Sequence, residues 1–283
     1  MCLGLRRLLR GCPVARRTLV RYNRPTPVNI ATDRVASYHG APLLLRYQPS
    51  ELGIENTGHV VEVPSPAGVH DTLEVGGDRY GLEQYHFQAP AEHAVDGRQA
   101  DVEAHLVHTN AQGATVVVGV FFRRGPEPNA LLDRILLAAP ATAEEVHLGE
   151  ASPAELFHHL RGTRARRVGR VQVNSFYAYD GSLTTPGCTE DVRWFLLADG
   201  GHVSRAAVTR FHRVIARFPD YDGTQTTTAR CNPSTDGSSG FAAAKPWNDP
   251  PRARPTTRRL DLQGGYVSDT PARSMRTSQH LRQ

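Results

Sequence analysis

The chain has 283 residues, of which 39% are hydrophobic, enough for one large globular core or two small ones. Its formal net charge of +5 is unevenly placed: residues 1–24 hold seven Arg and no acidic residue, and residues 223–283 hold nine Lys or Arg against four Asp. Removing both flanks leaves about −7 for residues 25–222, which argues against a nucleic-acid-binding core. No apolar run approaches the roughly 20 residues of a spanning helix, so we expect no membrane span.

Residues 1–22 are expected to form a basic, flexible arm. Its Arg-rich, acid-free composition is typical of transit peptides, except that it contains no Ser, and a misassigned start explains it equally well. The apolar start MCLGL is too short for the hydrophobic region of a secretory signal. The localisation therefore stays open at this point.

The first organised segment begins at RPTPVNI, residues 24–30, where Pro25 and Pro27 favour an extended backbone. Residues 41–50 are predicted to form a strand that leads to a turn. The run Asn56-Thr57-Gly58 is a turn signal, and residues 59–63 alternate as a strand.

The central stretch, residues 80–110, has two alternating runs that are separated by a turn at Asp96-Gly97. Because strand side chains alternate between two faces, the first run presents Gln84, His86 and Gln88 on one face. The second run presents Asp101, Glu103 and His105 on one face in the same way. Neighbouring strands with these faces aligned would bring the polar side chains into one pocket.

Imidazoles that converge from adjacent strands, with a carboxylate to orient one of them, are typical of a zinc site with an open position. His86, Gln88 and His105, with Glu103 beside His105, have this pattern. A single His on a strand is more often a structural or surface residue, and the pattern by itself leaves both interpretations open.

Residues 114–125 form a nearly continuous, β-branched apolar run, which predicts a strand buried on both faces. Ser152, followed by Pro153 and by Glu155, predicts a capping box and a short helix to about Leu160. A second helix is predicted over residues 205–218, with Ser204 as its cap. From Gly223 onward Thr, Ser, Gly, Pro and Arg dominate, and residues 223–283 are predicted to be mostly disordered.

Several of these segments resemble motifs of the alpha-class carbonic anhydrases. The most specific is the run Ser182-Leu183-Thr184-Thr185-Pro186, within residues 175–197, which is similar to the family's Tyr-x-Gly-Ser-Leu-Thr-Thr-Pro-Pro motif. The other matches are the start at residues 24–30, the Gly-His pair at His59, and the central stretch with Gln84, His86, Glu92, His93, Glu103 and His105. The resemblance covers roughly residues 24–218.

The resemblance implies an α+β fold that is mainly β, with one domain at residues 23–222 built on a large twisted, mostly antiparallel sheet with short peripheral helices. It implies a Zn²⁺ enzyme that hydrates carbon dioxide reversibly to bicarbonate. His86, Gln88 and His105 would hold the metal, and Gln84 and Glu103 would orient the two imidazoles. The expected catalytic residues are His59 for proton transfer, Glu92, Thr184 and Thr185; the expected substrate wall is Val107, Val117, Leu183, Val192 and Trp194.

Gln88 departs from the family, which has its second zinc-ligand His at this position. An amide oxygen is a weaker zinc ligand than an imidazole nitrogen. Two interpretations follow: a weakened zinc enzyme, which the retained His59, Glu92, Thr184 and Thr185 favour, or a binding module that resembles the acatalytic carbonic anhydrase-related proteins. The sequence leaves the oligomeric state open.

The four cysteines, at positions 2, 12, 188 and 231, include no close pair that would indicate a cysteine zinc site. Cys188 matches a cysteine that is disulfide-bonded in secreted members of the family. The resemblance implies Cys12 as the nearest partner and hints at an oxidising compartment.

Overall fold

The computed structural model of the protein describes residues 26–35, 41–167, 169–184, 188–219 and 245–246. All of them lie within one compact unit, which runs from Arg21 to Leu262. The predicted division into an arm at 1–22, a domain at 23–222 and a tail at 223–283 stays a prediction, because nearly all of both flanks lies outside the described residues.

The described residues form seventeen strands, two α-helices and one short 3-10 helix. The first eight strands are β1 (Asn29–Ile30), β2 (Leu43–Arg46), β3 (Ser50–Asn56), β4 (Val61–Pro64), β5 (Thr72–Val75), β6 (Asp78–Gln88), β7 (Ala94–Val95) and β8 (Arg98–Gln99). The remaining strands are β9 (Val102–Thr109), β10 (Thr115–Arg124), β11 (Glu145–Ala151), β12 (Thr163–Arg167), β13 (Arg170–Val173), β14 (Phe176–Ser182), β15 (Glu190–Leu197), β16 (Gly201–Val203) and β17 (Lys245–Pro246). The helices are α1 (Ala130–Ala138), the 3-10 helix (Pro153–Phe157) and α2 (Arg205–Ile215).

Thirteen of these strands form one large sheet, whose main order is β12-β13-β2-β5-β6-β9-β10-β15-β14. Strand β4 also pairs with β6, and it connects β6 to β3 and β11 on the outer side. The pairs are antiparallel except where β10 meets β15 and β16. This architecture confirms the predicted fold, a large twisted and mostly antiparallel sheet with few short helices.

A second, four-stranded sheet has the order β1-β7-β8-β17. Its last strand, Lys245–Pro246, lies inside the predicted tail and pairs with Arg98–Gln99.

None of the described helices has the length and apolar character that crossing a membrane requires.

The main hydrophobic core lies on one face of the large sheet, under both α-helices. Strand β10 is buried over nearly its whole length, as its apolar run predicts. Helix α2 begins after the Ser204 cap and buries Ala207, Val208, Phe211, Val214 and Ile215, the face expected for it, although it ends at Ile215 rather than Phe218. The opposite face of the sheet carries a smaller apolar cluster and the polar residues of the central stretch.

The helix predicted from Ser152 to about Leu160 begins as expected but ends three residues earlier, at Phe157. The capping box of Ser152 and Glu155 is present, and the helix that it begins is a 3-10 helix. The chain leaves the helical conformation at His158, and His159 has a positive φ of 61°, so the helix cannot continue. Helix α1 is not among the predicted elements, although Asn129 caps it and its apolar residues have helical spacing.

Two adjacent leucines of α1 test how much the core contributes to stability. Leu136 is fully buried, whereas Leu137 is 47% exposed. We expect Leu136→Ala to lower the free energy of unfolding by about 2–5 kcal/mol, because it leaves a cavity in the core. The matched control Leu137→Ala should change it by less than about 0.5 kcal/mol. Urea unfolding followed by tryptophan fluorescence measures both, and equal losses would contradict the described packing of α1.

Candidate metal centre

The polar residues of the central stretch come together because β6 and β9 are antiparallel neighbours. Their register places His86 opposite His105 and Gln88 opposite Glu103. Residues that are directly opposite in an antiparallel pair project from the same face of the sheet. The three predicted metal ligands therefore share one face, as the alternation predicts.

The two imidazoles meet at a distance that suits a shared ion. The Nε2 atom of His86 lies 3.2 Å from the Nδ1 atom of His105, and both residues are buried. Two ligand atoms at tetrahedral positions about 2.0–2.1 Å from a zinc ion would be about 3.3 Å apart. The ring planes are nearly perpendicular, at 88°, so both nitrogens can point to one position between them.

In each imidazole, the outer nitrogen, which is the one that points away from the other histidine, faces an oxygen. The Nδ1 atom of His86 is 3.0 Å from Oε1 of Gln84, and the Nε2 atom of His105 is 3.0 Å from Oε1 of Glu103. The Gln84 contact is a hydrogen bond, whereas the Glu103 contact is a close polar contact without hydrogen-bond geometry. Both oxygens favour a proton on the outer nitrogen, which leaves two lone pairs facing each other.

Such facing lone pairs repel unless a cation or a proton lies between them, so the two histidines fit a bound metal ion. Burial and the nearby His105 lower the pKa of His86 to about 3, which keeps this imidazole neutral as a metal ligand must be. Burial alone would lower the pKa of His105, but the charge of Glu103 and, less strongly, that of Glu92 raise it.

Glu103 is the centre of a hydrogen-bond network. Its Oε1 accepts a hydrogen bond from Nδ1 of His93 at 2.7 Å, and its Oε2 accepts one from the His93 backbone at 2.9 Å. Burial would raise the pKa of this carboxyl, but His93 and His105 hold it well below its ordinary value. The network continues from Nε2 of His93 to the Tyr179 hydroxyl at 2.6 Å, and from there to Oγ1 of Thr26.

His93, Glu103 and His105 also offer three possible ligand atoms within 4.8 Å of one another. Their separations of 2.7 and 3.0 Å are those of direct contacts. These groups therefore interact with one another and orient the His105 ring. Tyr179 stands at the first position of the motif-like run that ends at Pro186, but no sequence signal indicates its contact with His93. Only the neighbouring strands β14 and β15 bring it to His93.

Gln88 is 5% exposed and lies two residues from His86 on the same strand face. No hydrogen bond of its side chain to a described residue is found. The prediction that its amide oxygen joins the two imidazoles therefore stays a prediction.

The predicted catalytic residues lie around this pair. Glu92 is buried, with its Oε2 3.9 Å from Nδ1 of His105. Thr184 is buried as well, but no hydrogen bond joins it to Glu92 within the described part of the chain. Thr185 lies outside the described residues. His59 is exposed in the connection between β3 and β4, beside the large sheet.

The predicted substrate wall forms one apolar cluster beside the histidines. Val117, Val192 and Trp194 are buried in it, and Val107 and Leu183 pack against it. The Trp194 ring centroid lies 4.9 Å from that of His105, and its Nε1 donates to the Ser182 carbonyl at 3.0 Å. The polar pair and the apolar wall therefore share one side of the sheet.

Comparisons with known proteins identify the family of this chain. The family model of eukaryotic-type carbonic anhydrases matches residues 18–227. The chain belongs to the eukaryotic-type carbonic anhydrase family.

Similar relatives include an alpha carbonic anhydrase 4 of Arabidopsis thaliana, 32% identical over 191 residues that make up 67% of this chain and 66% of that protein. A carbonic anhydrase of Neisseria gonorrhoeae is 34% identical over 67% of this chain and 69% of its own length. The chain thus spans about two thirds of these relatives. The alpha-carbonic anhydrase structure of Photobacterium profundum is 31% identical, with a TM-score of 0.59 over 69% of this chain and 82% of that one.

Cys188 is disulfide-bonded in the structure. The other three cysteines lie outside the described residues, and the pairing with Cys12 that the family resemblance implies stays a prediction.

Gly119 leaves space beside the metal pocket for the side chains of Leu196 and Glu103. It lies opposite His105 on one side and Leu196 on the other. A Cβ atom at this position would lie 2.5 Å from Cδ2 of Leu196 and 3.1 Å from Oε1 of Glu103. A side chain here would therefore press on the carboxylate that orients His105.

We expect Gly119→Ala to lower the free energy of unfolding by about 1–3 kcal/mol, because the added methyl group overpacks this region. It should also weaken metal binding, since Glu103 must shift. The control is Gly81→Ala, whose Cβ would meet only Thr109 O, at an ordinary 3.8 Å. Urea unfolding and metal titration compare the two variants, and equal effects would contradict the close approach at Gly119.

Proposed function

We propose that the protein hydrates carbon dioxide reversibly to bicarbonate and a proton, with a zinc ion held by His86, His105 and Gln88. The observation that carries this proposal is the facing pair of His86 Nε2 and His105 Nδ1, with both outer nitrogens held by oxygens. Membership of the carbonic anhydrase family supports the same activity. Zinc at this position would act as a Lewis acid and generate a nucleophile from water at neutral pH.

The chain's own residues would bind and orient the reactants. The wall of Val117, Val192 and Trp194 offers carbon dioxide an apolar surface beside His105, where this nonpolar molecule can lie without polar partners. Glu92, buried 3.9 Å from His105 Nδ1, is in reach of the reacting centre. We assign to Thr184 and Glu92 the orientation of the nucleophile, and to Thr185 a contact with the substrate.

The reaction also releases a proton, which must reach the solvent. His59 is suited to this step because it is exposed and because an imidazole can both accept and donate a proton. We assign it the transfer of the proton to buffer.

Gln88 should weaken the site without abolishing it. Its amide oxygen is neutral and less basic than an imidazole nitrogen, so zinc is held less firmly. The contacts of Gln84 and Glu103 with the two histidines are in place, which favours a working enzyme over a binding module.

Replacement of Gln88 by His tests this assignment. We expect Gln88→His to raise zinc affinity and the rate of carbon dioxide hydration by at least about ten-fold, because it completes a three-imidazole ligand set. Zinc content is measured by elemental analysis, zinc affinity by competition with a chromogenic chelator, and hydration by stopped flow with a pH indicator.

His105→Ala is the inactive control, since it removes one of the two imidazoles. Equal activity of the unaltered protein and Gln88→His would mean that Gln88 is an adequate ligand. If neither protein exceeds the control, the enzyme assignment is wrong and a binding role takes its place.

A further inference from the structure

One row of paired residues connects the metal site with the outer edge of the large sheet. Glu62 on β4 is the ladder partner of His86, Glu55 on β3 is the partner of Glu62, and Glu145 on β11 is the partner of Glu55. Directly paired residues share a face. The three carboxylates therefore project from the same face as His86 and His105.

The burial of these strands supports the same orientation independently. Val61 and Val63 of β4 are in the main core on the opposite face, and so are Leu52 and Ile54 of β3. Because strand side chains alternate, the residue between each pair must point to the metal-site face. Glu62 occupies that position on β4.

On the other side of the histidines, the row contains no charged residue. Beyond His105 it continues through Gly119, Leu196 and Tyr177. One side of the pocket is therefore apolar, and the other side is acidic. The acidic side consists of residues that the predicted catalytic set does not include.

The negative charge on this side has little compensation. The described residues provide His147 near Glu145, at 3.3 Å, but no ion pair to Glu62 or Glu55. Burial and, next, the charge of Glu55 raise the pKa of Glu62 above its ordinary value, as expected for neighbouring carboxylates without a cation between them.

We propose that Glu62, assisted by Glu55, determines which ligands the metal site accepts: it weakens the binding of anions and strengthens the binding of the metal cation. The proposal rests on the proposed function only in that a metal ion must bind at His86 and His105. Adjacent strands are about 4.8 Å apart, so the backbones of Glu62 and Glu55 lie about 5 and 10 Å from that of His86 along the row. A charge within a Debye length of the site still acts on it at about 0.1 M salt.

This arrangement has two consequences of opposite sign. Inorganic anions and the bicarbonate product should bind more weakly than at a neutral site, which favours product release. The divalent cation should bind more tightly, which offsets part of the loss caused by Gln88. A merely structural role of Glu62 would not produce opposite effects on anion and cation binding.

The test uses the full-length protein loaded with Co²⁺, whose visible spectrum reports ligand binding. We expect Glu62→Gln to bind thiocyanate about three- to ten-fold more tightly than the unaltered protein at low salt, because one nearby negative charge is removed. The gain should shrink when sodium sulfate raises the ionic strength to about 1 M, where the Debye length is about 3 Å. Zinc affinity, measured with a competing chelator, should fall about three- to ten-fold.

Glu51→Gln is the control for net charge, although Glu51 differs from Glu62 and Glu55 in that its Oε1 lies 3.5 Å from Nδ1 of His147. Glu51 lies on the same face of β3 as Glu55, but four residues, or about 13 Å, further along the strand. It should leave both affinities unchanged, and Glu55→Gln should shift both in the direction of Glu62→Gln by a smaller factor. Thermal melts of all variants check that they are folded.

The outcomes separate the two proposals. Unchanged thiocyanate and zinc affinities in folded Glu62→Gln would overturn the role of Glu62 while leaving the enzyme assignment intact. Equal shifts in Glu51→Gln would also overturn it, since the effect would then be one of net charge. If the unaltered protein binds neither Co²⁺ nor Zn²⁺, both proposals fall.

Discussion

The pocket depends on one fully buried carboxylate. Glu103 is 0% exposed, and an ionised group in such a place is stable only when donors or positive charges surround it. His93 supplies two hydrogen bonds and His105 supplies the third contact. Because Glu103 cannot move without losing these partners, the His105 ring is held with its Nδ1 atom toward His86.

Several residues that do not belong to the proposed ligand set hold this carboxylate in place. Tyr179 holds the far nitrogen of His93, and Thr26 contacts the Tyr179 hydroxyl. Gly119 leaves the space that Glu103 and Leu196 occupy. Each of these residues acts on the metal pocket through Glu103, so the orientation of one imidazole involves β9, β10, β14 and the segment before β1.

Gln88 has a different standing in this arrangement. The two histidines have their supporting oxygens, but Gln88 belongs to no such network among the described residues. In the proposed zinc site, its amide oxygen would be a less basic ligand than an imidazole, and Glu103 would keep its partners. The acidic row through Glu62 would add negative charge near the proposed ion. We propose that this charge offsets part of the zinc affinity that is lost with an amide ligand at Gln88.

The sequence by itself determined the local features of this protein. Period-2 alternation put Gln84, His86 and Gln88 on one face and Glu103 with His105 on another, and motif order indicated the carbonic anhydrase family and its apolar wall. Capping residues predicted α2 well, because caps and helical spacing are local signals. At Ser152 the capping residues predicted where the helix begins but not where it ends. The conformations of His158 and His159 set its end.

Only the tertiary structure decided which strands are neighbours and in what register. Tyr179 meets His93 across 86 positions, and Glu62 lies opposite His86 across a pairing that no local pattern specifies. Strand alternation defines a face but not its partner, because pairing is set by long-range packing of the whole sheet. The acidic side of the pocket and the close approach at Gly119 are therefore properties of the folded sheet.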